Sequence, residues 1–222
     1  MDWFIQHNYQ TLINLLEIVA LYILVFGLTE ILYKKGLQAE TTRKIVHIAG
    51  GVVSALLPFF VKFEVAIALG VAFSLLLIIS KHRKLLNSVH KIKDYSVGAL
   101  LFAPSLTFAA AIFWPINPLI FQGSALVLGL SDGIAGIIGK RYGKRFYNVT
   151  GVKTIEGSFV FFLITLCLLF WFLIIGGAYT PSKISIVFGG ALSITMVEAI
   201  LGKGWDNLFI PIVSGIILYF IL

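Results

Sequence analysis

A chain of 222 residues that is 59% hydrophobic and 12% charged, with a mean hydropathy of +1.00, excludes a water-soluble globular domain and predicts an integral membrane protein. The single cysteine, Cys167, lies inside the apolar run "FVFFLITLCLLFWFLIIGG" and excludes a disulfide framework. The net charge of +7 is read as membrane-side asymmetry, with no nucleic-acid partner expected, and residues 1–222 are expected to form one transmembrane domain.

"MDWFIQHNYQ" carries no basic leader and runs into a full-length span, so the first helix is expected to be retained. Apolar runs near the roughly 20 residues needed to cross a bilayer predict spans at 11–33, 45–61, 64–80, 96–114, 117–138, 157–178, 184–201 and 208–222. Because these runs are continuous and not alternating, they predict an all-α polytopic bundle of about eight transmembrane helices in place of a barrel. The second, third, seventh and eighth runs are short, which leaves a seven-span or re-entrant arrangement open. All but Lys62 and Lys183 of the 17 Lys and Arg fall in loops after the odd-numbered spans. Those loops are expected in the cytoplasm, with both termini outside a plasma membrane. One of them, "KHRKLLNSVHKIK", also suits anionic lipid headgroups.

Four of the ten acids, Asp132, Glu156, Glu198 and Asp206, are expected at that same face. An ionised side chain at helix depth costs roughly 2.5–3.5 kcal/mol, less near the interface, so such carboxylates face partners or a polar cavity. Clustered acids repel one another unless cations lie among them. Lysines can supply these, and so can Mg²⁺ (or Mn²⁺) held by one or two carboxylates with phosphate and water. In "ALVLGLSDGIAGIIGKRYGKR", Gly129, Gly133, Gly136, Gly139 and Gly143 recur at three- and four-residue steps beside Asp132. That bare face suits either tight helix packing or close approach of a ligand, and "KRYGKR" forms a basic rim beyond it.

"VKTIEGS" sets Lys153 before a new helix that opens with Glu156, Gly157 and Ser158. A helix N-terminus plus a lysine can hold a phosphate, although a snorkelling Lys153 with a first-turn Glu156 explains the same pattern. "TTRKIVHIAGG" has a similar form, with Arg43 and Lys44 followed by His47, either a packing residue or a base. "VEAILGKGWDNLFIP" gathers Glu198, Asp206 and Asn207 around a hairpin, where Asp206 is also a candidate helix cap. "NVT" at 148–150 matches a glycosylation acceptor but falls in an expected cytoplasmic loop. No Walker, protein-kinase or nucleophile-elbow signature occurs.

In their order and spacing, "RKIVHIAGG", "DGIAGIIGKRYGK", "KTIEGS" and "E…DNLFIP" resemble the family of dolichol kinase, phytol and farnesol kinases and the CTP-dependent diacylglycerol kinase, over about residues 43–212. The resemblance implies transfer of the γ-phosphate of a nucleoside triphosphate, usually CTP, to the hydroxyl of a membrane-embedded lipid alcohol. It points to Asp132, Lys153, Glu198 and Asp206. Phosphoryl transfer needs positioning and cations more than covalent participation. On this reading Asp132, Glu198 and Asp206 hold Mg²⁺, and Lys153, Lys140 and Arg141 meet the triphosphate. Arg43, Lys44 and His47 form its rim, and Gly133, Gly136, Glu156, Gly157 and Asn207 complete the nucleotide surface. Glu198 or Asp132 also accepts the alcohol proton. A cytidylyltransferase making a CDP-lipid would use the same face, and a small transporter would instead keep its acids near the midplane.

Overall fold

The computed structural model describes residues 2–222 except 84, 87, 88, 90–96 and 178, with side chains from residue 10 onward. Lys84, Lys91 and Lys93, with most of the headgroup-binding candidate that holds them, and Asp94 just after it lie outside the described residues. The helices are α1 (Asp2–Lys34), α2 (Ala39–Phe60), α3 (Phe63–His82), α4 (Gly98–Phe113), α5 (Pro118–Leu126), α6 (Gly133–Tyr142), α7 (Ile155–Ile175), α8 (Pro181–Ile200) and α9 (Asp206–Ile221). A π-helical turn, Val127–Asp132, joins α5 to α6 as one span. The expected all-α membrane bundle is therefore the observed architecture.

Among the described residues six spans are long and apolar enough to cross a bilayer, whereas α4 and α9 have 16 residues each, roughly 24 Å of helix against a core of about 30 Å. The short members are thus the fourth and eighth, not the second, third and seventh. Hydropathy underestimated α2 and α8 because their first turns are polar. The "AETTRK" turn of α2 is helical from Ala39, with Thr42 Oγ1 donating to Ala39 O at 3.0 Å. α8 is started by the Thr180 cap and Pro181 at N1.

The span Pro118–Tyr142 is the hub: 72% of its apolar window is buried in protein, against 6% for α1. It starts with a built cap, Asn117 Oδ1 accepting from Leu119 N at 3.0 Å ahead of Pro118, then packs on α2, α7 and α9. The glycines make that approach possible. A Cβ on Gly51 would lie 2.5 Å from Gly129 Cα, so α2 and the π-turn touch backbone to backbone. Gly51→Val is expected to destabilise the protein by about 3 kcal/mol, the upper end of ordinary overpacking because backbone cannot yield as a side chain does. A lower melting temperature in detergent would show this; an unchanged one would contradict it.

At one end of the bundle lie the α1–α2 and α8–α9 turns, the start of α4 and the residues between α6 and α7. Val97 N donates to Lys203 O at 3.0 Å, and Lys203 and Gly204 turn the chain with φ of 55° and 93°. A short antiparallel hairpin, β1 (Phe146–Asn148) with β2 (Val152–Thr154), covers this end. It was absent from the expected elements because two three-residue strands lack the length to carry a period. Thr150 Oγ1 ties its turn to Ile200 O at 2.6 Å.

Candidate active site

Asp132 is the last residue of the π-turn and is buried. Lys44 Nζ, reaching across from α2, donates to its Oδ2 at 2.7 Å and to its carbonyl oxygen at 3.2 Å. His47, one turn further along α2, places Nε2 3.0 Å from the same Oδ2 and 3.1 Å from Leu128 O. Both neighbours are acceptors, so Nε2 carries the proton. The His47 ring is held against Phe102 of α4, centroids 4.4 Å apart. Every one of these contacts falls on Oδ2 or the backbone: among the described residues no protein group donates to Oδ1 of Asp132. A buried carboxylate oxygen without a donor is uncommon in a folded protein.

A second cluster forms where β2, α7, α8 and α9 meet. Lys153 Nζ donates to Glu198 Oε1 at 2.7 Å, to Asp206 Oδ2 at 3.1 Å, and to the Glu198 carbonyl oxygen, which employs all three ammonium protons. Burial works against the Lys153 charge, but Asp206, Glu198 and more distant Asp132 overcome it and raise its pKa above the ordinary 10.5. The stabilisation is therefore complete below the ordinary lysine value and disappears only as pH rises through the raised one. Asp132 contributes to that field as well.

Local structure explains how Lys153 arrives there. In the hairpin Tyr147 is opposite Lys153, so the two share a face. Immediately after, Thr154 caps α7 by accepting Gly157 N at 3.1 Å. Ser158 then donates to Glu198 Oε2 at 3.0 Å and meets Tyr147 Oη at 2.5 Å. Burial raises the Tyr147 pKa, with the Ser158 contact opposing it. Tyr147 and Ser158 were missed as site residues; the alternation of a hairpin ending at Lys153 was the available signal for Tyr147.

Other expected site residues lie elsewhere. Lys140 pairs with Glu40 at 2.5 Å on the exposed rim, and exposed Arg141 sits 5.4 Å from the centroid of the Tyr142 ring. Arg43 is half-buried in α2. Glu156 Oε2 accepts from Arg145 N at 3.4 Å instead of joining the carboxylates. Asn207 Nδ2 donates to Gly98 O at 2.7 Å and anchors the start of α4. Asp206 is the first helical residue and not a cap, its Oδ1 accepting from Asn207 N at 3.1 Å. The bare glycine face is filled by protein: Gly133 by Ile48, Gly136 by the Lys44 stem, Gly157 by Gly139 and Thr154. Gly136 thus makes room for the lysine that reaches Asp132.

The three carboxylates expected at one metal divide between the clusters, and no group of three or more His, Cys, Asp or Glu gathers among the described residues. Glu198 and Asp206 remain a two-carboxylate set converging on one cation, Lys153. Such a set fits Mg²⁺, which takes one or two carboxylates and completes its shell with phosphate and water.

The fold and site define a polytopic all-α membrane protein with a buried ionic site at one end of the bundle. Along 81% of its length the chain is 29% identical to a phytol kinase of Synechocystis sp., covering 78% of that protein. It is 32% identical to the probable phytol kinase 2, chloroplastic, of Oryza sativa subsp. japonica over 58% of the chain and 47% of that protein. Phytol kinase 1, chloroplastic, of Arabidopsis thaliana is 27% identical over 89% of the chain and 72% of its own length. The chain is thus similar to phytol kinases along most of its length. No family model matches it, and no solved structure matches it significantly.

Proposed function

We propose that this protein is a membrane lipid-alcohol kinase that transfers the γ-phosphate of a nucleoside triphosphate, CTP in the first instance, to an isoprenoid alcohol. The observation that carries the reading is Oδ1 of buried Asp132, which receives no donor among the described residues, set beside a lysine at the end of an apolar bundle. The alcohol oxygen attacks the γ-phosphorus, the bond to the β-bridging oxygen breaks, and the hydroxyl proton passes to Asp132 Oδ1. Lys44, whose third ammonium proton has no protein acceptor among the described residues, meets the transferring phosphate oxygens. His47 and Lys44 together keep Asp132 turned so that Oδ1 faces outward. Such a loose transition state is stabilised by positioning and positive charge.

Glu198 and Asp206 would hold Mg²⁺, which when bound neutralises charge on the phosphates. Lys153 would serve the triphosphate, with Arg43, Lys140 and Arg141 on the rim attracting the nucleotide. The phytol kinase names of the relatives favour an isoprenoid acceptor over diacylglycerol. Ser158 positions Glu198: Ser158→Ala is expected to raise the Mg²⁺ concentration for half-maximal activity about tenfold, on the order of one charge-assisted hydrogen bond. An unchanged Mg²⁺ dependence would contradict this.

The basic loops favour a site at the cytoplasmic face of a plasma membrane with both termini outside. Cysteines replacing Arg145 and Lys203 are expected to react with an impermeant maleimide only after cells are opened. Labelling of either in intact cells would reverse the orientation. The test of the function is phosphate transfer from labelled CTP, ATP, GTP and UTP to farnesol, geranylgeraniol and phytol in micelles.

A further inference from the structure

A cavity of about 590 Å³ lies between α1, α2, α3 and α4, away from the ionic clusters. Its volume falls within the roughly 300–1,000 Å³ of small-molecule sites, and its lining is almost wholly apolar. The polar members found in its middle satisfy each other, Tyr22 Oη and Ser54 Oγ being 3.1 Å apart. Its walls run from Ala66 to Leu76 on α3 and from Val19 to Glu30 on α1, roughly 15 Å at 1.5 Å per residue. An extended chain of three isoprene units, four main-chain carbons each, spans roughly the same length at about 1.25 Å per C–C bond.

Both ends of the cavity have identifiable neighbours. At the site end Phe102 is a wall of the cavity on one side and the ring against His47 on the other. His47 in turn holds Asp132. At the far end Ala66, Ala110 and Phe121 form the floor, Phe121 being stacked on Trp114 with centroids 5.4 Å apart. On the side, α1 packs mainly on α2 and α3 mainly on α4. The α1–α3 seam is closed by Phe73, 5.2 Å from Tyr22 and 5.3 Å from Phe26, ring centroid to centroid.

We propose that this cavity holds the isoprenoid tail of the acceptor, admitted from the bilayer through the Phe73 seam, with Ala66, Ala110 and Phe121 setting how many isoprene units fit. The proposal rests on the kinase reading for the identity of the acceptor. It requires the hydroxyl end to pass Phe102, one ring away from His47, and the chain to point down the bundle.

The test uses the purified full chain in detergent with a farnesol carrying a photoreactive diazirine at its chain terminus, the labelled peptides being mapped by mass spectrometry. Labels are expected on α3 and α4 near Ala66 and Ala110. Turnover is measured in parallel on geraniol and phytol for Ala66→Leu and Ala110→Leu, two variants on different helices. Each is expected to lower kcat/KM for phytol about tenfold relative to geraniol, since the added carbons exclude part of the chain from burial. Labels confined to α7 and α8, or an unchanged phytol-to-geraniol ratio in both variants, would overturn the proposal. Cavity labelling in a protein that phosphorylates no alcohol with any nucleotide would uphold the cavity and refute the kinase reading instead.

Discussion

Asp132→Asn is expected to reduce phosphate transfer at least about a thousandfold, roughly 4 kcal/mol of transition-state stabilisation, while the protein stays folded. The amide keeps the shape of the carboxylate. Lys44 retains the Asp132 carbonyl oxygen at 3.2 Å, and His47 retains Leu128 O at 3.1 Å. What disappears is the negative oxygen that receives no donor among the described residues, and with it the proposed acceptor for the alcohol proton. Single-turnover assays together with a melting curve separate the two effects. An active variant would remove Asp132 from the chemistry, and an unfolded one would make the Lys44–Asp132 pair a purely structural device.

Lys153→Met should be the most destructive substitution for the architecture of the site. It leaves Glu198 and Asp206 facing each other without the cation that both contact. Removing one member of a buried ion pair costs about 3–5 kcal/mol, and one of the two acids must then take up a proton. Lower stability and loss of nucleotide binding are expected together, with Lys62→Met as the control at the opposite end of the bundle. Since the Lys153 pKa is raised, neither property of the wild-type protein should depend on this lysine between about pH 6 and 9. Intact nucleotide affinity in Lys153→Met would reduce its role to anchoring the hairpin.

The helices were legible because each is an unbroken apolar run, and Asp132, Lys153, Glu198 and Asp206 because each interrupts or borders one. Which cation serves which acid was not legible, since the Lys44–Asp132 and Lys153–Glu198 contacts join separate elements. Lys44 therefore moved from rim to centre. Arg141 moved outward for a reason that helix geometry contains: nine positions beyond Asp132 it is turned by about 180° to the opposite side, whereas Lys140 pairs with Glu40 of α2. The glycine spacing around Asp132 was visible, but packing and ligand approach require the same bare surface. Only the positions of Gly51, Ile48 and the Lys44 stem decide for packing. Ser158 carried no local signal, because its partner Glu198 comes from another helix.

The most direct measurement is product analysis after incubating the purified protein with Mg²⁺, γ-labelled nucleoside triphosphate and phytol or farnesol. The account predicts a labelled isoprenyl monophosphate and an equal amount of nucleoside diphosphate, both absent with Asp132→Asn. A nucleoside-monophosphate ester of the alcohol with release of pyrophosphate, or label transferred to glycerol and to no lipid alcohol, would contradict it.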